Sequence, residues 1–465
     1  MRPAIGRKSQ VVVRFDVARL IARPVAGDRT QFSVMDSRND EEAPLVLVSG
    51  EDRKIRPVKI LVGTILVLSV IACSLCVVCG YQDSELGTIS LGILYVSFMF
   101  CSMVASLVVR LLGSKNALIL GTSGYWLFVA ANLKPSWITM VPASLYLGFA
   151  ASIIWVAQGT YLTSIARSHA KDHDVHEGSI IGVFNGEFWA IFACHQLFGN
   201  LITLTLLKDG KEGSTSGTTL LLLVFLLIMT FGTILMFFIR KIEGEDGKEP
   251  VGGSSMGLVD SLVSLPRLII TPLLDVRMLL IVPLLAYSGL QQAFVWAEFT
   301  KEIVTPAIGV SGVGGAMAVY GALDAVCSIT AGRFTSGLSS ITFIVSGGAV
   351  AQASVFLWLL LGYRTTSGVL GTVYPLIMAA VLGIGDGILN TQISALLALL
   401  FKHDTEGAFA QLKVWQSASI AIVFFLSPYI SLQAMVIVML VMVCVSLFSF
   451  LVLALKVESV FTRDE

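Results

Sequence analysis

The chain has 465 residues, of which 55% are hydrophobic and 13% are charged. Its 31 Lys and Arg residues balance its 31 Asp and Glu residues, so it lacks the basic excess of nucleic-acid-binding proteins, and no nucleic acid is predicted as a partner. Apolar runs recur from Ile60 to the C-terminus, each long enough to cross a hydrocarbon core of about 30 Å, which excludes a water-soluble domain. Because backbone polar groups in lipid must be paired within the chain, these runs form helices. The sequence therefore predicts an all-α polytopic membrane protein in contact with the lipid bilayer.

The first 59 residues precede the apolar runs and are predicted to form a cytoplasmic N-terminal tail. Residues 1–34 carry six Arg and one Lys against two Asp, and an acidic run follows at 36–42. Three interpretations of 1–34 stay open: an organellar transit peptide, a disordered cytosolic tail, or a segment that is absent from the mature protein because translation begins at Met35. The scarcity of Ser weighs against the transit peptide.

Twelve membrane spans are predicted, in two groups of six. The first group lies at 60–80, 87–109, 116–133, 138–163, 179–206 and 218–239. The second group lies at 277–299, 311–331, 339–361, 371–400, 407–430 and 432–455. The predicted domains are therefore a first six-helix half at 60–239, a polar linker at 240–276, and a second half with a short tail at 277–465.

The distribution of Lys and Arg predicts the orientation of the spans. From Arg53 onward, one set of loops and ends carries seventeen Lys and Arg residues, and the opposite set carries five. Loops rich in Lys and Arg remain in the cytoplasm. Both termini and the linker 240–276 are therefore predicted to be cytoplasmic, in a plasma membrane or an endomembrane.

The two predicted halves contain similar series of residues. The fourth span contains Leu-Gly-Phe at 147–149 and the tenth contains Leu-Gly-Ile at 382–384. Each triplet is followed by Gln, His and Glu-Gly in the same order. Two similar six-helix bundles are typical of the major-facilitator architecture, in which a cavity lies between the halves. The sequence thus predicts a major-facilitator-type fold with twelve transmembrane helices in two six-helix halves.

Short motifs distributed over about 380 residues carry a family resemblance. They are LGTISLG at 86–92, GSKNA at 113–117, YW at 125–126, PASLYLG at 142–148, GTYLT at 159–163, GVFNG at 182–186 and YSGLQQAF at 287–294. On these motifs the chain resembles the Unc-ninety-three-like family of ion-channel regulatory proteins, a branch of the major-facilitator superfamily, and most of all its plant members. Two features depart from the pattern. The span 60–80 lacks the polar motif of the family's first helix, and the loop 110–115 resembles the superfamily's basic motif without its usual aspartate.

The resemblance implies a function in potassium homeostasis. We expect the protein to regulate a potassium channel subunit by association. The alternative is a proton- or cation-coupled secondary transporter with a small ligand or cation in a central cavity, and a third interpretation is a trafficking factor for other membrane proteins. No nucleotide-binding loop or hydrolase motif occurs, so the sequence predicts no catalytic residue, cofactor or metal.

Asp386 is the first candidate site residue. It lies near the middle of the predicted span 371–400, within the run Gly-Ile-Gly-Asp-Gly at 383–387. Ionisable groups within a span face the protein interior or water, and glycines permit close helix approach or local unwinding. Asp386 is therefore either a cation- or proton-linked carboxylate or a structural hydrogen-bonding group.

Glu187 and Asp324 form a second candidate pair, because both are predicted roughly 12–14 Å from the cytoplasmic edge. They either share a proton or face different sides and pair separately. The remaining candidates are uncharged polar side chains within spans that could line a cavity. They are Tyr287, Gln291 and Gln292 in the seventh span, Gln158 in the fourth, and Asn390 and Gln392 in the tenth.

Overall fold

The computed structural model describes residues 84–208, 215–238, 273–362 and 369–461. Eleven long α-helices occupy this part of the chain. They are α1 (Ser84–Leu112), α2 (Ser114–Ala131), α3 (Trp137–Asp172), α4 (Glu177–Lys208), α5 (Thr215–Met236), α6 (Val276–Ala293), α7 (Thr305–Phe334), α8 (Leu338–Leu361), α9 (Val369–Leu400), α10 (Thr405–Leu426) and α11 (Leu432–Phe461).

Each predicted span within the described residues coincides with a helix, so the all-α membrane fold is confirmed. The predicted first span, 60–80, and most of the linker 240–276 lie outside these residues. Among the described residues, eight helices are long and apolar enough to cross a membrane, and α5 contributes a shorter apolar stretch, Leu222–Ile234.

The main departure from the predicted boundaries follows α6. The predicted span ends at residue 299, but helical structure continues as a π-helix over Phe294–Val304 and passes directly into α7. The chain turns at Gly309, whose φ of 77° lies in the left-handed region. Glycine adopts this conformation without the steric penalty that a Cβ imposes, so a single residue replaces the predicted loop of about ten residues. A one-residue turn between two helices cannot be recognised from the pattern of apolar residues.

Two pairs of helices join the predicted halves: α4 packs on α7, and α1 packs on α10. α3 also contacts α10, and α4 also contacts α9. The interface between the halves is therefore built from α1, α3 and α4 of the first half and α7, α9 and α10 of the second.

Aspartate side chains begin two helices of the second half. Asp275 Oδ1 accepts a hydrogen bond from the Arg277 backbone N–H at 2.8 Å at the start of α6. Asp404 Oδ1 accepts one from the Gly407 N–H at 3.0 Å at the start of α10. Such bonds satisfy backbone donors that the first helical turn leaves unpaired. Hydrogen bonds from the Arg277 side chain also hold the pKa of the Asp275 carboxyl below its usual value.

Candidate functional site

Asp386 lies at the centre of a buried hydrogen-bond network that connects three helices. Its Oδ2 accepts a bond of 2.7 Å from the Tyr320 hydroxyl of α7. Its Oδ1 accepts bonds from Asn390 Nδ2 at 2.9 Å and from Gln292 Nε2 of α6 at 3.3 Å. Hydrogen bonds to an ionised acceptor are stronger than those between neutral groups. The carboxylate therefore holds α6, α7 and α9 together.

Close approach of α7 and α9 makes this network possible. Gly383 and Gly387 precede and follow Asp386 on the face of α9 that meets α7. A Cβ on Gly383 would overlap the Tyr320 carbonyl oxygen, and one on Gly387 would lie 2.5 Å from the Asp324 carbonyl oxygen. The helix stays continuous here. Of the two predicted roles of these glycines, close packing is the one the structure shows.

Tyr287 and Gln291 share a face of α6, as their spacing predicts, and the structure encloses both side chains. Both have 0% of their surface exposed. The Tyr287 hydroxyl donates to Gln352 Oε1 of α8 at 2.6 Å, and Gln291 Nε2 donates to the Tyr320 hydroxyl at 3.3 Å. These partners inside the second half allow the two polar side chains to be enclosed. Both side chains are enclosed in this conformation, and a cavity-lining role for them stays a prediction.

Asp324 lies close to Asp386 across the α7–α9 contact. It is buried, its Oδ1 accepts a bond from the Ser328 hydroxyl at 3.1 Å, and it interacts electrostatically with Asp386. Glu187 is half-buried on α4. A proton shared between Glu187 and Asp324 stays a prediction.

The two remaining candidates lie apart from the Asp386 network. Gln392 Nε2 donates at 2.9 Å to the hydroxyl of Thr335, the residue that directly follows α7. Gln158 is buried on α3, and the next residue, Gly159, contacts the Phe409 ring of α10. Gln392 therefore lies at a contact between helices, and Gln158 lies one residue from the contact between α3 and α10.

Lys413 of α10 is a buried charged residue that the sequence reasoning missed. Its Nζ lies 4.6 Å from the ring centroid of Trp155 and 5.8 Å from that of Trp189, and it donates to Gln416 Oε1 at 2.8 Å. Within the described chain, no Asp or Glu forms an ion pair with Lys413. Trp155 and Trp189 belong to the first half and Lys413 to the second, so the cluster lies between the halves.

A signal for Lys413 was present, because a lysine within the predicted span 407–430 is an ionisable group in a membrane segment. Ser394 also escaped notice, although it continues the stripe Asp386, Asn390, Ser394 at intervals of four along α9. Its hydroxyl accepts a bond from Trp189 Nε1 at 3.0 Å and donates to the Asn390 carbonyl at 2.8 Å. Ser394 thus links the aromatic pair beside Lys413 to the Asp386 network.

Ion pairs connect the halves at the end of the bundle that carries Arg110, Arg167 and Lys402, here named the basic end. Arg110 Nη2 lies 2.6 Å from Asp404 Oδ1 and 3.7 Å from Glu406 Oε2. Arg110 begins the basic motif that lacks its usual aspartate. Asp404 of the opposite half supplies a carboxylate to this motif.

Arg167 also joins the two halves at the basic end. Its Nη2 donates to the Ala398 carbonyl at 2.7 Å, its Nη1 to the Thr405 hydroxyl at 3.3 Å, and its Nε to Glu177 at 3.1 Å. Lys402 lies 3.3 Å from the second oxygen of Glu177. The basic end is therefore closed by a network that crosses between the halves.

The chain matches the family described as ion channel regulatory protein UNC-93 over residues 80–359 and 367–451. It is 84% identical over 415 residues to UNC93-like protein 3 of Arabidopsis thaliana, covering 88% of this chain and 89% of that protein. It is 26% identical over 407 residues to the "Putative potassium channel regulatory protein unc-93" of Caenorhabditis elegans, covering 79% of this chain and 56% of that protein.

The fold is similar to that of the Escherichia coli proton:xylose symporter XylE, with a TM-score of 0.62 over 85% of this chain and 94% of that chain. The sequence identity is 11%, so this similarity establishes the fold alone. The predicted major-facilitator fold is confirmed. The family match covers far more than half of the chain, and the protein belongs to the UNC-93 family of ion channel regulatory proteins.

Proposed function

We propose that this protein regulates a potassium channel by associating with it, and thereby contributes to potassium homeostasis. The observation that carries this proposal is the family match over most of the chain, together with the name of the C. elegans relative. The action is non-enzymatic, and the channel subunit is its partner.

The surroundings of Asp386 support regulation over transport of potassium. A potassium ion is coordinated by oxygen atoms. The groups that face Asp386 present one hydroxyl and two amide donors to its carboxylate, which is the arrangement that satisfies an anion. The carboxylate therefore serves the fold in this conformation, and potassium flux is assigned to the partner channel.

A proton- or cation-coupled transporter is the second candidate function. It is supported by the buried carboxylates Asp324 and Asp386 and by charged groups located between the halves, since intramembrane ionisable residues commonly mark ion pathways. In this case the network around Asp386 would open during each transport cycle.

Two measurements separate these functions. The first is the whole-cell potassium conductance of cells that express the protein, before and after its gene is deleted and then restored. The second is potassium and proton flux into vesicles that contain only the purified protein. We expect deletion to change the conductance, restoration to reverse the change, and the purified protein to carry neither ion. An unchanged conductance would contradict regulation, and flux by the purified protein would establish transport.

The variant Asp386→Asn distinguishes regulation from transport at a single residue. A transporter should lose coupled flux while still reaching its membrane. A regulator should show an altered potassium conductance only in cells that contain the channel. Normal behaviour in both assays would limit Asp386 to a structural role.

We further propose that the basic end faces the cytoplasm, together with both termini and the linker 240–276, in a plasma membrane or endomembrane. The Lys and Arg bias supports this orientation. A small epitope inserted in the linker should be accessible only after the membrane is permeabilised. Labelling of intact cells or sealed right-side-out vesicles would overturn the orientation.

A further inference from the structure

We propose that Lys413, Trp155 and Trp189 form a binding site for a small organic carboxylate at the interface between the two halves. This inference is independent of channel regulation, because it rests on the chemistry of the cluster alone. In this proposal, Lys413 pairs with the carboxylate, and the two indole faces hold the apolar body of the ligand.

The first argument is the shortage of partners for the ammonium group. Lysine has three N–H donors, and Lys413 uses one of them, on Gln416 Oε1 at 2.8 Å. Gln416 is itself held by a bond of 3.3 Å from its Nε2 to the Ser288 hydroxyl. Buried charges in proteins are ordinarily paired, and within the described residues no carboxylate pairs with this one.

The second argument is that the two indole rings are fixed in advance. Their planes are 9° from parallel with centroids 5.7 Å apart. Trp155 Nε1 donates to the Tyr125 hydroxyl at 2.9 Å, and Trp189 Nε1 donates to the Ser394 hydroxyl at 3.0 Å. Phe192 packs edge-on against both rings at centroid distances of 5.1 and 5.3 Å, and Phe188 packs edge-on against Trp189 at 5.4 Å. In this proposal, the apolar or planar body of the ligand therefore contacts the part of the aromatic surface that borders the Lys413 ammonium group. Fixed rings also reduce the entropy lost on binding.

The third argument is residual accessibility. Trp155 retains 8% of its surface and Gln416 retains 7%, whereas Tyr287 and Gln291 in the neighbouring network retain none. On the side of the basic end, the Phe409 ring packs directly on Gly159. A ligand in this conformation would therefore approach from the opposite end.

The charge of the site selects the ligand class. One lysine supplies a single positive charge, which balances a monocarboxylate. Inorganic phosphate carries more negative charge and has no apolar part for the indole faces. An organic cation would be repelled by the ammonium group. The site is therefore assigned to monoanionic carboxylates with an apolar or aromatic body.

The test uses the purified full-length protein in detergent and measures its thermal unfolding temperature with benzoate, benzamide, benzylammonium, acetate or inorganic phosphate. A ligand that binds only the folded state raises this temperature in proportion to ln(1 + [L]/Kd). We expect a saturable rise with benzoate, a smaller rise with acetate, and no shift with the remaining compounds. Equal shifts with benzoate and benzamide, or no shift with either carboxylate, would overturn the proposal, and this comparison needs no variant.

Variants then place the binding at the cluster. Lys413→Met should abolish the benzoate shift, and the control Lys301→Met, at an exposed lysine, should retain it. Lys413→Arg should retain part of it, because arginine keeps the charge. Trp189→Leu should weaken benzoate binding about two- to tenfold, because one aromatic contact is lost. A benzoate shift that persists in both Lys413→Met and Trp189→Leu would place the carboxylate elsewhere.

Discussion

Asp386 and Lys413 are equally deep in the protein but differ in how their charges are satisfied. Their exposed fractions are 3% and 5%. Asp386 accepts hydrogen bonds from three side chains of this chain. Lys413 makes one hydrogen bond and faces two aromatic rings. The Asp386 carboxylate stabilises the packing of helices within the second half. The Lys413 ammonium group lies between the halves and uses one of its three N–H donors in a hydrogen bond to a described residue.

The difference indicates opposite effects on stability. Removing one member of a satisfied buried network leaves its partners desolvated and unpaired. Removing a charge that lacks a counter-ion relieves a desolvation cost. Natural proteins accept such costs at functional sites, so a destabilising Lys413 supports a binding role, and a stabilising Asp386 supports a structural one. Four predictions test this contrast.

The largest effect is expected from Gly387→Val. A side chain at Gly387 would meet the backbone and carboxylate of Asp324, with the nearest atom at 2.5 Å. The α7–α9 contact would have to open, which separates Tyr320 from Asp386. We expect a loss of about 3 kcal/mol or more, seen as loss of the monodisperse peak in size-exclusion chromatography. Gly347→Val is the control, because a Cβ there meets nothing within 4 Å. Equal yields of the two variants would contradict the close packing.

Asp386→Leu should give the next largest effect. It leaves the Tyr320 hydroxyl and the Asn390 amide without their acceptor, and Gln292 with only the Asn390 amide oxygen, at a cost of about 3 kcal/mol. Asp386→Asn keeps one carbonyl acceptor and should cost about half as much. Thermal unfolding of the purified variants measures both. If Asp386→Leu is as stable as the parent protein, the network is not structural, and the transporter interpretation gains support.

Lys413→Met should shift stability in the opposite direction. Placing a lysine within a membrane costs about 2.5–3.5 kcal/mol on insertion scales. The cation–π contacts of Lys413 with Trp155 and Trp189 offset about 1–2 kcal/mol of this cost. We therefore expect the neutral side chain to raise stability by about 1 kcal/mol, measured by thermal unfolding without added anion. A destabilised Lys413→Met would show that the aromatic contacts already satisfy the charge, and the contrast with Asp386 would disappear.

The sequence predicted the helices and Asp386 better than the partners of Asp386. Helix positions and an intramembrane carboxylate can be identified from apolar length and charge alone. The contact with Tyr320 depends on how closely α7 and α9 approach, which the Gly383 and Gly387 pair allows but does not specify. Tyr320 itself resembles any other aromatic residue in a span.

Lys413 was missed for a different physical reason. A lysine near the end of a span can extend its side chain along the helix to the membrane–water interface. The sequence position of Lys413 is therefore also consistent with a lysine whose ammonium group is in water. Its actual environment depends on which face of α10 it occupies and on the two tryptophans of the opposite half. Such contacts between halves involve residues more than 200 positions apart and cannot be deduced from a local pattern.

The smallest effect is expected at the basic end. Arg110 and Asp404 form an ion pair of 2.6 Å, but their side chains are 38% and 39% exposed, so water and salt weaken the attraction. A double-mutant cycle of Arg110→Gln and Asp404→Asn isolates the pair, because asparagine can still cap α10. We expect a coupling energy of about 0.2–1 kcal/mol at low salt that approaches zero at 1 M salt. A coupling as large as the loss in Asp386→Leu, or one insensitive to salt, would mean that closure of the basic end stabilises the protein as strongly as its buried network. A small coupling energy would mean that separating Arg110 from Asp404 requires little free energy. The basic end could then open while the Asp386 network keeps the second half folded.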